Sequence, residues 1–497
     1  MTTAAPRAVA HFIAGGIVDS DTEPINRLAP ATSAVVSVVQ AGGEREVAQA
    51  VRAARAAFDD GPWPRMTGME RSMHINRVAD LIDRDAATLA ALDAEETGKP
   101  ITLAENDIAG AAGLWRYAAS LALTMSGATY TNNGPDFTGL VLREPIGVVG
   151  LIVPWNFPAL ILSQKLPFAL AAGCTAIVKP SELTSSTALQ IVRLTAEAGI
   201  PDGVVSMLAG DGRAGGAIAA ADGIDLVSFT GSTVTGRKVV AASAGTIKKL
   251  SLELGGNAAN VVFGDADLAD AAAGVVFGVN FNNGECCVSQ PRLLVEQGVA
   301  DDFVAEVARL TKRLKVGQPM DRSTDVGALI HAGHLAKVTS YIEGAVAHSG
   351  EILVGGSRLT DGDLALGQFV APTVIDRVAP DTPAFQEEIF GPVLTVTRFA
   401  TRDEAVRLAN DVPYGLANSV WSKNVDTVLD VAKALKSGTV YANTTIDAPP
   451  QMPFGGYKQS GVGREMGQAG FEEFTELKSV NIRTGRRAGT FPLPVAR

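Results

Sequence analysis

The chain has 497 residues, 46% apolar and 19% charged, more than one hydrophobic core supports, so two or three domains are expected and a small disulfide-stapled scaffold is excluded. Lysine and arginine number 42 against 53 aspartates and glutamates, a formal charge of −11. The densest basic cluster is Arg483, Arg486 and Arg487, too small to hold a nucleic-acid backbone, so no nucleic-acid partner is expected.

In chain order, residues 1–10 carry only Arg7 and no continuous apolar run, so no secretory signal is expected. The first hundred residues read as mainly helical. Residues 44–58 repeat Ala, Val and Phe at helical spacing until Gly61-Pro62 stops them, and 71–97 repeat the pattern with breaks. Residues 130–139 are polar and turn-rich and precede the alternating Leu140-Val141-Leu142-Arg143, which predicts a projecting hairpin before a buried strand over 146–153. The apolar stretch 146–162 is interrupted by Pro154, Asn156 and Pro158 and falls short of the ~20 residues that span a bilayer, so no membrane partner is expected.

Between 146 and 255 short apolar runs at 148–153, 176–179, 204–208, 226–229 and 249–253 alternate with helical patterns at 163–172, 185–198, 214–221 and 233–244. That rhythm predicts a parallel, doubly wound sheet. It resumes after 256, with strands at 293–295, 351–354, 369–374, 393–399, 419–421 and 439–442 and helices at 303–314 and 405–410. The predicted fold class is α/β, two doubly wound α/β domains plus a small β element.

Three segments carry chemistry. Pro154-Trp155-Asn156-Phe157-Pro158 ends an apolar strand, where open α/β sheets place their ligands, and an amide there can donate to an oxyanion. Glu253 ends another apolar strand that runs into Gly255-Gly256. Asn282-Asn283-Gly284-Glu285-Cys286-Cys287 forms a turn after a helical run. Taken singly, each has a bland reading: Asn156 as a turn former, Glu253 as a solvated charge, Cys287 as a small buried hydrophobe. With three cysteines, two of them adjacent, the chain has no disulfide framework and no zinc spacing, which suits a reduced, cytoplasmic protein without a metal.

Together with Lys179-Pro180-Ser181-Glu182, Phe229-Thr230-Gly231-Ser232, residues 387–392 and Pro453 to Gly461, these segments follow the order and approximate spacing of the aldehyde dehydrogenase superfamily, which the chain resembles from about residue 12 to 484. The resemblance implies that Cys287 is the nucleophile that forms a thiohemiacetal and then a thioester, that Asn156 and the Cys287 N–H hold the oxyanion, and that Glu253 is the base for hydrolysis. It implies a nicotinamide dinucleotide held by Val153, Pro154, Trp155, Lys179, Glu182, Gly212, Gly215, Phe229, Gly231, Ser232, Leu254, Glu388 and Phe390. Glu182 accepts from ribose hydroxyls and repels a 2′-phosphate, which favours NAD over NADP, although Lys179 also suits a phosphate. Gly210-Asp211-Gly212-Arg213-Ala214-Gly215 satisfies the dinucleotide fingerprint, but in the resembled family this loop borders the adenine and the pyrophosphate meets Gly231-Ser232.

Phe157, Ile161, Gln164, Val288, Ala448 and Phe454 are expected to line the aldehyde tunnel. Gln164 and Ala448 stand where family members often carry aromatics, so the entrance reads as wide and of mixed polarity, without the cage a quaternary ammonium needs. This argues against betaine aldehyde and for a bulky or polar-tailed aldehyde, a semialdehyde or an aromatic aldehyde. Cys174 reads as core. Cys286 and Glu285 are expected to point away from the nucleophile, since a carboxylate beside it would oppose thiolate formation. Asn257 and His334 also depart from the family pattern, without removing a catalytic group. Two alternatives remain: an acylating enzyme that passes the thioester to coenzyme A, against which Glu253 argues, and a non-catalytic oligomer that keeps the fold.

The expected organisation is a coenzyme domain (1–126 and 146–255), a catalytic domain (256–459) and a bridging element (127–145 and 475–497). The hairpin's exposed edges are expected to be covered in a homodimer or homotetramer.

Overall fold

A computed structural model of the protein describes residues 5–484. The Val-Val-Gly-Leu-Ile run of Val148–Ile152 is buried at every position, as a strand covered on both faces requires. It pairs in parallel with Thr175–Lys179 on one side and Leu226–Thr230 on the other. Val205–Met207 and Lys249–Glu253 extend the two flanks in parallel. The eight-stranded sheet is closed by antiparallel edges, His11–Ile13 with Gly16–Val18 at one end and Gly461–Val462 at the other.

The strand order reverses between Val148–Ile152 and Leu226–Thr230, which opens a crevice beyond their carboxyl ends. Gly150 lets the helix Gly212–Ala220 press on the central strand, since a Cβ there would lie 2.6 Å from Ile218 Cγ2.

A second, seven-stranded sheet runs Glu351–Val354, Thr373–Asp376, Val393–Phe399, Arg292–Glu296, Ala259–Val262, Ala417–Trp421 and Thr439–Ala442. All its pairs are parallel except that of the outermost strand, Glu351–Val354. Cys287 lies on the segment entering Arg292–Glu296, so this sheet presents the amino ends of its strands to the carboxyl ends of the first. A third sheet pairs Phe137–Pro145 with Ala128–Tyr130 and, along nine residues, with Thr475–Arg483, all antiparallel. The hairpin is therefore present, whereas the expected tail beyond 484 lies outside the described residues.

The mainly helical reading of the first hundred residues is corrected by five strands within 7–39. Each is three to five residues long, too short for alternation to register, and two of them pair with distant partners: Phe12 sits opposite Met207 and Arg7 opposite Ser37. The helices begin later, at Glu44–Asp59, Gly68–Arg84, Ala86–Thr97 and Ile101–Ala122.

The helix read as starting at 163 starts at Pro158, because proline is tolerated in a first turn, and it ends at the left-handed Gly173. Among the described residues no helix is long and apolar enough to cross a membrane.

Candidate active site

A cleft of about 650 Å³ occupies the crevice. Its walls include Val153, Pro154 and Trp155 after the central strand, Lys179 and Glu182 after the next, and Phe229, Gly231 and Ser232 after Leu226–Thr230. Gly212, Gly215 and Gly216 form an open side, since a Cβ on any of them meets nothing closer than 4.0 Å. The Ser232 hydroxyl caps the helix Thr233–Ser243 by accepting from the Thr235 N–H, which leaves other first-turn N–H groups facing the cleft. Lys179 is buried 3.6 Å from the Glu182 carboxylate, and burial lowers its ammonium pKa.

The cleft narrows into a chamber of about 200 Å³ lined by Asn156, Leu254, Cys287, His334, Lys337, Glu388 and Phe390. Glu388 accepts from the Gly256 N–H at 2.8 Å, and its carboxyl is pushed up to about 7 by burial. A Cβ on Gly255 would lie 2.5 Å from Glu388 Oε2, so glycine is required for the carboxyl to close over the loop. Phe390 is held at φ 62°, and its carbonyl accepts from His334 Nε2 at 2.7 Å. Burial lowers His334 to about 4, so the imidazole is neutral.

Behind the chamber lies a cavity of about 140 Å³ that holds Phe157, Ile161, Gln164, Val288, Ala448 and Phe454. Leu160, Phe281, Leu416, Tyr441 and Ile446 complete its apolar wall, and Glu253 and Glu465 reach it from the first sheet's side. Cys287, Thr230 and Leu254 line both the chamber and this cavity, so the Cys287 side chain stands where the two meet.

The approach to Cys287 is a left-handed turn. Asn282, Asn283 and Gly284 have φ of 53°, 61° and 74°. Non-glycine residues there are strained and need neighbours to hold them. Asn283 is clamped by the Gly327 N–H and the Ala328 carbonyl, and Asn282 Nδ2 donates to the carbonyls of Asn156 and Glu285. Asn156 Nδ2 also donates to the Glu285 carbonyl, at 3.0 Å. One N–H of that amide is thereby used and one remains.

The charge arrangement is unusual. Burial, reinforced by the nearby Glu465, raises the Glu253 carboxyl well above the usual range, and neither of its oxygens has a hydrogen-bond partner. Lys165 faces both groups but donates to Glu465 and, at 2.8 Å, to Ser228 Oγ. A hydrogen bond with Cys286, then burial, raises the Cys287 thiol. The expectation that Cys286 points elsewhere is corrected: Cys286 lines the same cavity as Cys287. Glu285 does turn away, its carboxyl accepting from the Ile330 N–H at 2.9 Å and lying 3.6 Å from His334 Nε2. Cys174 is buried and donates to the Phe474 carbonyl.

The structure brings the residues singled out in the sequence to these three connected spaces. Sequence reasoning missed Leu160, Phe281, Leu416, Tyr441 and Ile446 of the cavity wall, Lys165 and Glu465 behind Glu253, and Lys337 in the chamber. Tyr441 carried no signal, since it lies in a strand that reads as core. Phe281 ends a helical run beside the asparagine turn, a position that could have pointed to it.

The family model described as the aldehyde dehydrogenase family matches residues 17–480. A betaine aldehyde dehydrogenase of Bacillus subtilis is 41% identical over 475 residues, covering 95% of this chain and 97% of its own. Aldehyde dehydrogenase family 2 member C4 of Arabidopsis thaliana is 40% identical over 473 residues, covering 94% of each. Among solved structures, an NAD-dependent aldehyde dehydrogenase from Sinorhizobium meliloti superposes with a TM-score of 0.96 at 43% identity, covering 97% of this chain and 96% of its own. A betaine aldehyde dehydrogenase from Staphylococcus aureus in complex with NAD+ gives 0.95 at 36% identity, with the same coverage.

Proposed function

The chain belongs to the aldehyde dehydrogenase family, and on that premise we propose that it oxidises an aldehyde to the carboxylic acid with NAD+ through a covalent intermediate on Cys287. The observation that carries this reading is the position of Cys287, on the wall shared by the chamber that leads to the cleft and the mainly apolar cavity.

The residues suit the coenzyme. The helix N-terminus at Ser232 offers N–H groups to a pyrophosphate, Glu182 offers acceptors to the adenine ribose, and Glu388 lies within the chamber for the nicotinamide ribose. Bound there, NAD+ supplies the hydride acceptor that side chains lack. Glu182 makes the cleft less favourable for NADP.

In the first step the Cys287 thiol gives its proton through water to the Glu253 carboxylate, which passes it on to solvent before hydrolysis, as Sγ attacks the aldehyde carbon and the carbonyl oxygen takes up negative charge. The remaining Asn156 Nδ2–H and the Cys287 backbone N–H, which has no partner among the described residues, meet that charge. Losing one such donor costs about 3–4 kcal/mol of barrier. Oxidation leaves a thioester on Sγ. Glu253, whose two oxygens have no partner, takes a proton from water, the hydroxide attacks the acyl carbon, and Sγ leaves as the acid departs. Its raised pKa suits a base working near neutral pH. This base supports hydrolysis rather than transfer to coenzyme A, and a binding role would need none of these groups.

We assign residues 1–126 and 146–255 to coenzyme binding, 256–459 to catalysis, and the hairpin with 475–497 to bridging. Ala128–Tyr130 is exposed at every position and edges the third sheet, which supports a homo-oligomer that covers it. A free thiol nucleophile fits a reducing, cytoplasmic setting.

Absorbance of reduced nicotinamide with an aldehyde panel tests the reading. Turnover without coenzyme A is expected, strict dependence on coenzyme A would assign the acylating reaction, and no turnover with any aldehyde would refute both.

A further inference from the structure

The wall of the 140 Å³ cavity is almost wholly apolar, so its few polar groups decide what it selects. Glu253 and Glu465 belong to the hydrolytic side. Tyr441 and Gln164 do not. Tyr441, on Thr439–Ala442 of the second sheet, is 5% exposed, and its hydroxyl has no hydrogen-bond partner among the described residues. Gln164, on Pro158–Ala172 of the first domain, is half-buried, and its amide also has no partner among the described residues. Beside the Thr230 hydroxyl and the Glu253 carboxyl, which are buried without partners, the cavity is therefore lined by two further polar side chains from two different domains that no group among the described residues engages and that a ligand can reach.

Charge narrows the class of ligand. The lining contains no lysine or arginine, while it does contain Glu253 and Glu465, so a carboxylate tail would be desolvated without a counter-ion. A permanent cation carries no acceptor for the hydroxyl and would instead engage the carboxyls and aromatic rings of the lining, so betaine aldehyde is the control that separates the two modes. Tyr441 and Cys287 line the same cavity, and burial, with Cys286, Cys287 and Asp447 adding to the shift, raises the phenol and keeps it a donor.

We propose that Tyr441 is a specificity-determining residue that donates to the substrate's tail, and that the substrate class is a neutral aldehyde bearing an acceptor oxygen near its carbonyl. Gln164 offers a second polar contact further along the tail. The proposal rests on the oxidation described above and refines it.

The test compares isosteric pairs, the three methoxybenzaldehydes against the matching ethylbenzaldehydes, with succinic semialdehyde and betaine aldehyde as charged controls. At least one methoxy isomer should exceed its ethyl partner about tenfold in kcat/KM, mostly through KM, the size of one buried neutral hydrogen bond. Y441F should collapse that ratio to near one. As a measurement on the unaltered enzyme, methoxybenzene should inhibit more tightly than ethylbenzene.

Equal kcat/KM for every pair, a charged aldehyde as the best substrate, or a Y441F loss that strikes both members of a pair in proportion would overturn the proposal. Oxidation of the ethylbenzaldehydes without preference would sink this inference alone, whereas no oxidation of any aldehyde would sink the reading beneath it as well.

Discussion

The coenzyme cleft and the aldehyde cavity meet at one sulfur but are built in opposite ways. The cleft is made of backbone: strand ends, a helix N-terminus and glycines whose missing Cβ leaves room. It is larger than the cavity and carries more polar surface. The cavity is made of side chains from elements far apart in the chain, Phe157 to Gln164, Phe281 to Val288 and Leu416 to Phe454, and it encloses a carboxyl with no partner. Backbone sites tolerate side-chain change and set which coenzyme class binds, whereas a side-chain cavity sets both the chemistry and the substrate.

That contrast can be broken most forcefully at the junction. Cys287→Ser should cut oxidation by at least about a thousandfold, because a serine hydroxyl is a far weaker nucleophile than a thiol and its oxygen a poorer leaving group. Steady-state rates with intact coenzyme affinity are the check. Asn156→Ala should lower kcat by about a hundredfold to a thousandfold with little change in KM for NAD+. An equal rise in coenzyme KM would show that the amide serves the cleft instead.

On the cleft side, Glu182→Ala should raise the ratio of NADP to NAD kcat/KM by about tenfold and leave acyl hydrolysis untouched. On the cavity side, Glu465→Gln removes a like charge from beside Glu253, so the hydrolytic limb of the pH–rate profile should move to lower pH. A limb that stays in place would separate the two carboxyls.

The smallest effect concerns stability. Burial raises the Glu285 carboxyl well above the usual range, so the folded chain holds a proton that the unfolded chain releases. Its contribution is full below the unfolded pKa and is lost as pH rises through the folded one. Glu285→Gln keeps an acceptor for the Ile330 N–H without that loss, so its Tm should gain on wild type as pH rises above the ordinary carboxylate range. A constant difference would contradict the assignment.

The same contrast explains what could be read from the sequence. Pro154 to Phe157, Gly231-Ser232 and Glu253 to Gly256 were legible because backbone geometry at strand ends needs particular residues in a row. Val148–Ile152 and Arg292–Glu296 were legible because buried parallel strands carry short continuous apolar runs. The strands within 7–39 were not, since three to five residues carry no clear period and their pairing depends on distant partners. Tyr441 and Glu465 were not, since nothing local marks a residue that faces a cavity assembled from other segments. The place of Cys286 in the cavity wall was misread because the left-handed turn at Asn282-Asn283 sets how this segment enters the site.

Mass spectrometry of the Glu253→Gln variant, incubated with NAD+ and an aldehyde and then digested, tests the central claim most directly. The account predicts the acyl mass on the peptide at Cys287, formed with one equivalent of reduced coenzyme and persisting for lack of hydrolysis. Reduced coenzyme appearing with no acyl group on Cys287, or with the group on Cys286, would contradict it.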